Sequence, residues 1–370
     1  MLNPKVGQRP LSILVESGSS TPKKPAFDSL SAPRFKPEIL AKLTAEFSIT
    51  TVEELYGWAR VTDSNRVQTF LGESLVKSDR RTLAETLEPL LAPETLQQFD
   101  DVSRFEYSFG AQLDTLPTPT AGEPATLREI GPPWPQREVS LVNSDMPPVR
   151  NQGRRSTSVA FATCAVMEYV FCREREQRLD LSEQWQYWNC KRCDGHPKLK
   201  GTTLRWSFYL AARDGVCEEQ HWPYNVMDDP SDPDPNPPPS AAMNATKHKM
   251  TRFIDVPDPK DVSVLKRLLA LGQPVAFAIP MFTSVEEDVN TRLTGNILVP
   301  AETEQALQMG HAMVLVGYED HTGFAGGGYF IVRNSWGDRW GTQCPFGAGY
   351  GTIPYRFIER YNRCALAMDS

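Results

Sequence analysis

The 370-residue chain has no apolar run near the ~20 residues that a membrane-spanning helix needs. At its start the longest apolar run is Leu11 to Val15, too short for the core of a secretory signal, so a cytoplasmic location is expected. It also lacks an excess of positive charge. Lys and Arg number 39 against 46 Asp and Glu, a net charge of −7. Nucleic acid and anionic membrane surfaces both call for a basic face, so neither is expected as a partner. The seven cysteines are odd in number, which rules out complete internal pairing, and free thiols are expected. Cys190 and Cys193 form a C-x-x-C, but no second pair follows at zinc-ribbon spacing. Cys217 with His196 or His221 fits no standard ligand pattern either, so no metal and no cofactor is expected.

What is present is ordinary globular material, with 40 % hydrophobic and 23 % charged residues. A length of 370 suggests roughly two domains. The 31 prolines mark the joints. Residues 1–34, rich in Pro, Ser and Lys and without periodicity, read as a flexible leader. Over residues 35–100 apolar positions recur at helical spacing: Ile39, Leu40, Leu43 and Phe47, then Leu55, Trp58 and Ala59. Thr51-Val-Glu-Glu54 offers a capping box, further helical runs cover Ser64 to Lys77 and Asp79 to Leu91, and Pro93 can open a last helix through Phe99. This is a small helical accessory domain or pro-domain. Without a glycine hairpin or a basic face it suits packing or docking of a protein partner rather than DNA. Residues 101–136 form a Pro-rich linker, and Asp228 to Ser240 reads as a stiff surface loop. In 137–370 helical patterns (Ser158 to about Arg175, Thr203 to Asp214, Pro259 to Leu271) come first. Strand patterns follow: Val275 to Ile279, Ala312 to Val316 and Tyr329 to Arg333. That order indicates an α+β fold, a helical lobe against an antiparallel sheet or barrel lobe.

Three segments of this last part carry chemistry. They are Asn151-Gln-Gly-Arg-Arg-Ser-Thr-Ser158, Gly310-His-Ala-Met-Val-Leu-Val-Gly-Tyr318 and Tyr329-Phe-Ile-Val-Arg-Asn-Ser-Trp-Gly337. Read alone, Ser158 fits a helix cap, His311 a core histidine, and Gln152 and Asn334 turn residues. As an ordered set, with Leu181-Ser-Glu-Gln184, Trp222-Pro-Tyr224 and Gly272-Gln-Pro-Val275, they resemble the papain-like cysteine peptidases over about residues 137–365.

The resemblance implies a two-lobe fold and hydrolysis of a peptide or protein substrate through an acyl-enzyme. It implies that position 158 holds the nucleophile at a helix N-terminus, that His311 is the base and acid, and that Asn334 orients the ring. The Gln152 amide would stabilise the oxyanion, and Trp336 would shield the His–Asn bond. Gly201, Ala278, Met309, Gly310 and Ala312 would contact substrate. Where the family has cysteine this chain has Ser158. A thiol starts near pKa 8.5 and drops beside an imidazolium, whereas a hydroxyl gains no comparable activation, so cleavage should be slowed by orders of magnitude. Two readings of Ser158 stay open. One is an inactivating replacement of cysteine in an otherwise intact site, which would leave an uncleaved zymogen. The other is a natural pseudopeptidase that binds peptide as a scaffold. Arg155 stands where many members carry a disulfide cysteine. Papain-like enzymes commonly block the cleft with an N-terminal propeptide, and Phe105 to Leu116 is the most apolar candidate here for that role.

Overall fold

The computed structural model describes Lys5 and residues 7–15, 35–62, 83–113, 136–226 and 236–369. The helical run expected over Ser64 to Lys77 lies outside these residues, as do most of the linker and much of the Asp228 to Ser240 loop. The last two residues of that loop are not loop: they begin a short helix, Pro239–Ala245.

Among the described residues, four α-helices occupy the N-terminal part: α1 (Pro37–Phe47), α2 (Val52–Val61), α3 (Leu83–Leu87) and α4 (Pro93–Ser103). The capping box at α2 forms as the sequence suggests. Thr51 accepts from the Glu54 N–H, and the Glu54 carboxylate accepts from the Thr51 N–H. α4 continues four residues past Phe99. Leu40, Leu43, Phe47, Leu55, Trp58, Leu87 and Phe99 share one core, which Val289, Leu293 and Leu298 from the C-terminal part complete. The flexible leader expected over 1–34 is contradicted where its residues are described. Leu11 and Leu14 are buried in this same core, and backbone bonds join Leu11 N to Thr50 O and Val52 N to Arg9 O. A few apolar residues outweigh the polar composition around them.

The C-terminal part packs α5 (Ser158–Arg175), α6 (Glu183–Cys193) and α7 (Leu204–Arg213) against a sheet. Ser182 and Thr203 cap α6 and α7 with their hydroxyls, which is why those helices start there. A further helix, α8 (Val262–Ala270), is capped by Asp261. Among the described residues the sheet has seven antiparallel strands: β1 (Glu138–Ser140), β2 (Arg252–Asp255), β3 (Val275–Pro280), β4 (Gly310–Asp320), β5 (Gly328–Arg333), β6 (Tyr350–Pro354) and β7 (Cys364–Asp369). The order is β2-β7-β3-β4-β5-β6, with β1 added on β4. β4 is longer than the expected Ala312 to Val316 and takes in His311 at its start. Between β3 and β4 lies α9 (Val289–Thr294), the surface on which α2 and α4 rest. Gly57 is required at that contact, because a Cβ there would come 2.3 Å from Asp288 Oδ1. Among the described residues no helix is long and apolar enough to cross a membrane.

Candidate active site

The helical lobe delivers Ser158 and the sheet delivers His311. Ser158 is the first residue of α5, fully buried, at the end of an 18-residue helix whose free N–H groups and dipole favour negative charge. Its Oγ accepts from the Ala312 N–H at 3.2 Å. The hydroxyl is therefore hydrogen-bonded to the strand backbone at the residue after His311 and not to the ring.

His311 Nε2 lies 2.8 Å from Asn334 Oδ1. That oxygen also accepts the Ser335 N–H at 2.8 Å, which fixes which end of the amide faces the ring. Nε2 must then carry the proton, leaving Nδ1 as the basic lone pair. Nδ1 is buried and has no partner among the described residues. Trp336 stacks on the ring (centroids 4.6 Å, 25°) and Phe109 closes it edge-on at 6.0 Å. Burial pushes the imidazole down to about 4, against a smaller upward pull from Asn334. It is thus a neutral base in this state.

Gln152 is locked from both ends. Its backbone N–H donates to Ser335 O at 2.8 Å, and its Oε1 accepts from Ser335 Oγ at 2.6 Å. Its Nε2 points at three carbonyls: Ser108 and Phe109 at 3.0 Å each, and Arg155 at 2.8 Å. Behind it, Arg150 ties α5 to α6 by pairing with Glu168 and Glu183, whose carboxyls burial drives upward. Arg155 makes a polar cross-link. Its Nη1 donates to Gln184 Oε1 and Asn225 O, and its guanidinium lies 4.8 Å over the Tyr224 ring.

Two carbonyls on Gln152 belong to a strap, residues 105–113, which runs between the lobes. Gly110 N and Ala111 N donate to Gly310 O at 3.1 and 3.0 Å, and Gly310 N donates back to Ala111 O at 3.0 Å. On the other side Thr202 N donates to Gly110 O and Gln112 N to Thr202 O. A Cβ on Gly110 would come 2.7 Å from Ser158 N. Gly201, in left-handed backbone (φ 76°), faces the strap at Gly110 O, but its neighbour Thr202 supplies the hydrogen bonds. Ala278 and Ala312 are register partners on β3 and β4, both buried, and half-buried Met309 precedes Gly310. The Leu113 side chain rests against Gly310. Trp336 Nε1 donates to Ser108 O at 2.9 Å, and Tyr107 stacks on Trp336 at 4.6 Å. Of these contacts, those of Thr202, Tyr107 and Gly110 carried no local sequence signal.

All seven cysteines are free, and among the described residues no group of three or more His, Cys, Asp or Glu is placed to hold a metal ion.

Residues 136–369 match the papain family cysteine protease description. A peptidase C1-like protein of Acanthamoeba polyphaga mimivirus is 31 % identical over 169 residues, 44 % of this chain and 49 % of its own length. Mouse pro-cathepsin H is 26 % identical over 274 residues, 74 % of each chain. The match thus spans about half of the mimivirus relative, and 58 % of a cathepsin L-like peptidase of Aedes aegypti. Among solved structures, xylellain, a cysteine protease from Xylella fastidiosa, superposes with a TM-score of 0.59 at 24 % identity, over 72 % of this chain and 97 % of its own. Digestive procathepsin L2 of Tenebrio molitor gives 0.52 at 20 % identity over 82 % and 87 %. These two speak for the two-lobe α+β fold. With the family match covering well over half its length, the chain belongs to the papain family of cysteine proteases.

Proposed function

We propose that the chain is a papain-type peptidase in a self-blocked, zymogen-like form, with Ser158 standing at the nucleophile position and disabling it. The observation that carries this reading is the strap. Its carbonyls at Ser108 and Phe109 occupy the Gln152 donors, and its Gly110 lies against the Ser158 N–H. Those are the donors an oxyanion would need. With a thiol at position 158, the Nδ1 lone pair of His311 would take its proton and the thiolate would attack the peptide carbonyl. The imidazolium would return the proton to the departing amine, and water would then release the acyl group. A hydroxyl in the same place, turned to the Ala312 N–H, offers no stored anion.

The test is Ser158→Cys in the full chain, followed by mass spectrometry and by turnover of a mixed peptide library. Self-cleavage between residues 100 and 137 together with robust turnover is the expected result. An intact, silent Ser158→Cys chain would favour a peptide-binding pseudopeptidase.

A further inference from the structure

Three consecutive strap residues meet three arginines. Arg339 lies over the Phe105 ring at 5.3 Å, Glu106 pairs with Arg154, and Arg292 lies over the Tyr107 ring at 5.3 Å. Tyr107 in turn stacks on Trp336, and Trp336 on His311, so this cluster is continuous with the reactive centre. In a chain of net charge −7 such a convergence of positive charge is local, not a property of the whole surface. Among the described residues, neither Arg292 nor Arg339 is paired with a carboxylate, and the partner of Arg154 belongs to the strap itself.

Arg292 is the most constrained of the three. Its residue is 8 % exposed, and its Nη1 donates to the carbonyls of Val102, Ser103 and Phe105 at 3.0 to 3.3 Å. Nε is held separately by Glu286 O at 2.8 Å. When the strap leaves, Nη1 loses the Phe105 carbonyl and keeps those of Val102 and Ser103, which belong to α4. The donor freed there needs a new acceptor, and a carboxylate satisfies a guanidinium better than a neutral carbonyl. Arg154 loses its carboxylate at the same moment, while Arg339 loses the ring it covers.

We propose that the Trp336 end of the cleft is an arginine-lined subsite for a carboxylate. The unblocked peptidase then favours peptides with an acidic group three to five residues from the bond it cuts, on that side only. The distance follows from the strap, where Gly110 marks the reactive centre and Tyr107 to Phe105 mark the arginines. The inference rests on the reading that the strap lies where substrate lies. A Glu or Asp side chain and a free C-terminus offer the same chemistry.

The experiment uses the self-processed Ser158→Cys protein and quenched fluorescent peptides with Glu, Gln or Lys at the third to fifth residue on either side of the bond. Each peptide is made with a free or an amidated C-terminus. The expected kcat/KM order on one side is Glu above Gln above Lys, with about a tenfold spread between Glu and Lys, and no order on the other side. If amidation alone removes the preference, the C-terminus is the source; if it does not, the side chain is. Arg154→Glu with Arg339→Glu should invert the order to favour Lys. Equal rates for all three, in peptides that are cut, would overturn the subsite and leave the peptidase reading standing. Binding separates the two if nothing is cut. The same peptides, fluorescein-labelled, are titrated into the Gly110→Val chain with Ser158 retained, where the strap is crowded out. Tighter binding of the Glu peptide upholds the subsite without any catalysis, and equal binding rejects it.

Discussion

Glycine at 110 is required by contact. A side chain there would strike Ser156 C and O and Ser158 N at 2.6 to 2.7 Å, all of them backbone atoms that cannot swing aside. Gly110→Val should therefore lift the strap, and the imidazole reports it. With the strap down His311 is held at about 4 by burial, below its ordinary value near 6.5. Between those values an exposed ring takes a proton while the covered ring does not. The closed form thus loses stability as pH falls from about 6.5 toward 4, and nothing is lost above that window. Ring nitrogen NMR should find His311 neutral at pH 5.5 in the Ser158 chain and largely protonated in Gly110→Val. An unchanged titration would mean that the strap does not shield it. The identities of Gln152, His311 and Asn334 were readable because each sits in a short distinctive word. The roles of Gly110 and Thr202 were not, because each is defined by partners far away in the chain: Ser156, Ser158 and Gly310 for Gly110, and the strap for Thr202. Nor could the sequence foretell that the Ser158 hydroxyl turns to the Ala312 N–H instead of the ring.

α9 shows how a helix is fixed from two directions. Asp288 Oδ1 caps it by accepting from Asn290 N at 2.8 Å and Thr291 N at 3.1 Å. Oδ2 is buried with no partner among the described residues, and Gly57 of α2 presses on the same carboxyl. Burial raises this carboxyl to about 7, with the two backbone N–H groups pulling the other way and Glu54 adding a small push upward. The folded form thus holds a proton that the unfolded chain gives up near pH 4, so stability falls as pH rises from about 4 to about 7. Asparagine keeps the cap and removes the charge. Asp288→Asn should unfold at higher temperature than the parent at pH 8, by roughly 1–3 kcal/mol in stability, and at nearly the same temperature at pH 4.5. Equal destabilisation at both pH values would show that the second oxygen is satisfied. The elements with strong local signals were visible beforehand: the α2 capping box, the start of α5, and β3, β4 and β5. Those without were missed. β6 contains Gly351 and Pro354, β2 has four residues, and α9 has six, too few for a helical period to register.

Taken whole, the molecule has two cores joined by a seam, and the N-terminal segment is the clasp across it. Lys5, half-buried, reaches Ser48 O at 2.7 Å, Thr50 Oγ1 at 2.9 Å and Glu54 at 2.9 Å, and lies over the Phe324 ring at 4.5 Å. Burial lowers its pKa, and Glu54 pulls it back up. Gln8 Nε2 donates to Asn290 Oδ1 at 2.7 Å, and the Ala325 N–H donates to Ser48 Oγ at 2.7 Å. Composition marked this stretch as leader because Pro, Ser and Lys dominate it. Composition averages over the few side chains that decide, and Leu11 and Leu14 are two of them. Leu14 is fully buried in the smaller core, together with Phe35, Leu43, Leu55 and Val289. Truncating it should cost roughly 2–5 kcal/mol, the usual range for a buried leucine. Because that core contains α1, α2 and α9 but none of β3 to β5, the loss should be local. Hydrogen exchange of Leu14→Ala is expected to lose protection across residues 37–61 and 289–298, while 275–280 and 328–333 keep theirs. Uniform loss throughout the chain would mean that the two cores unfold as one unit. In that case the strap could not be released without unfolding the sheet that carries His311.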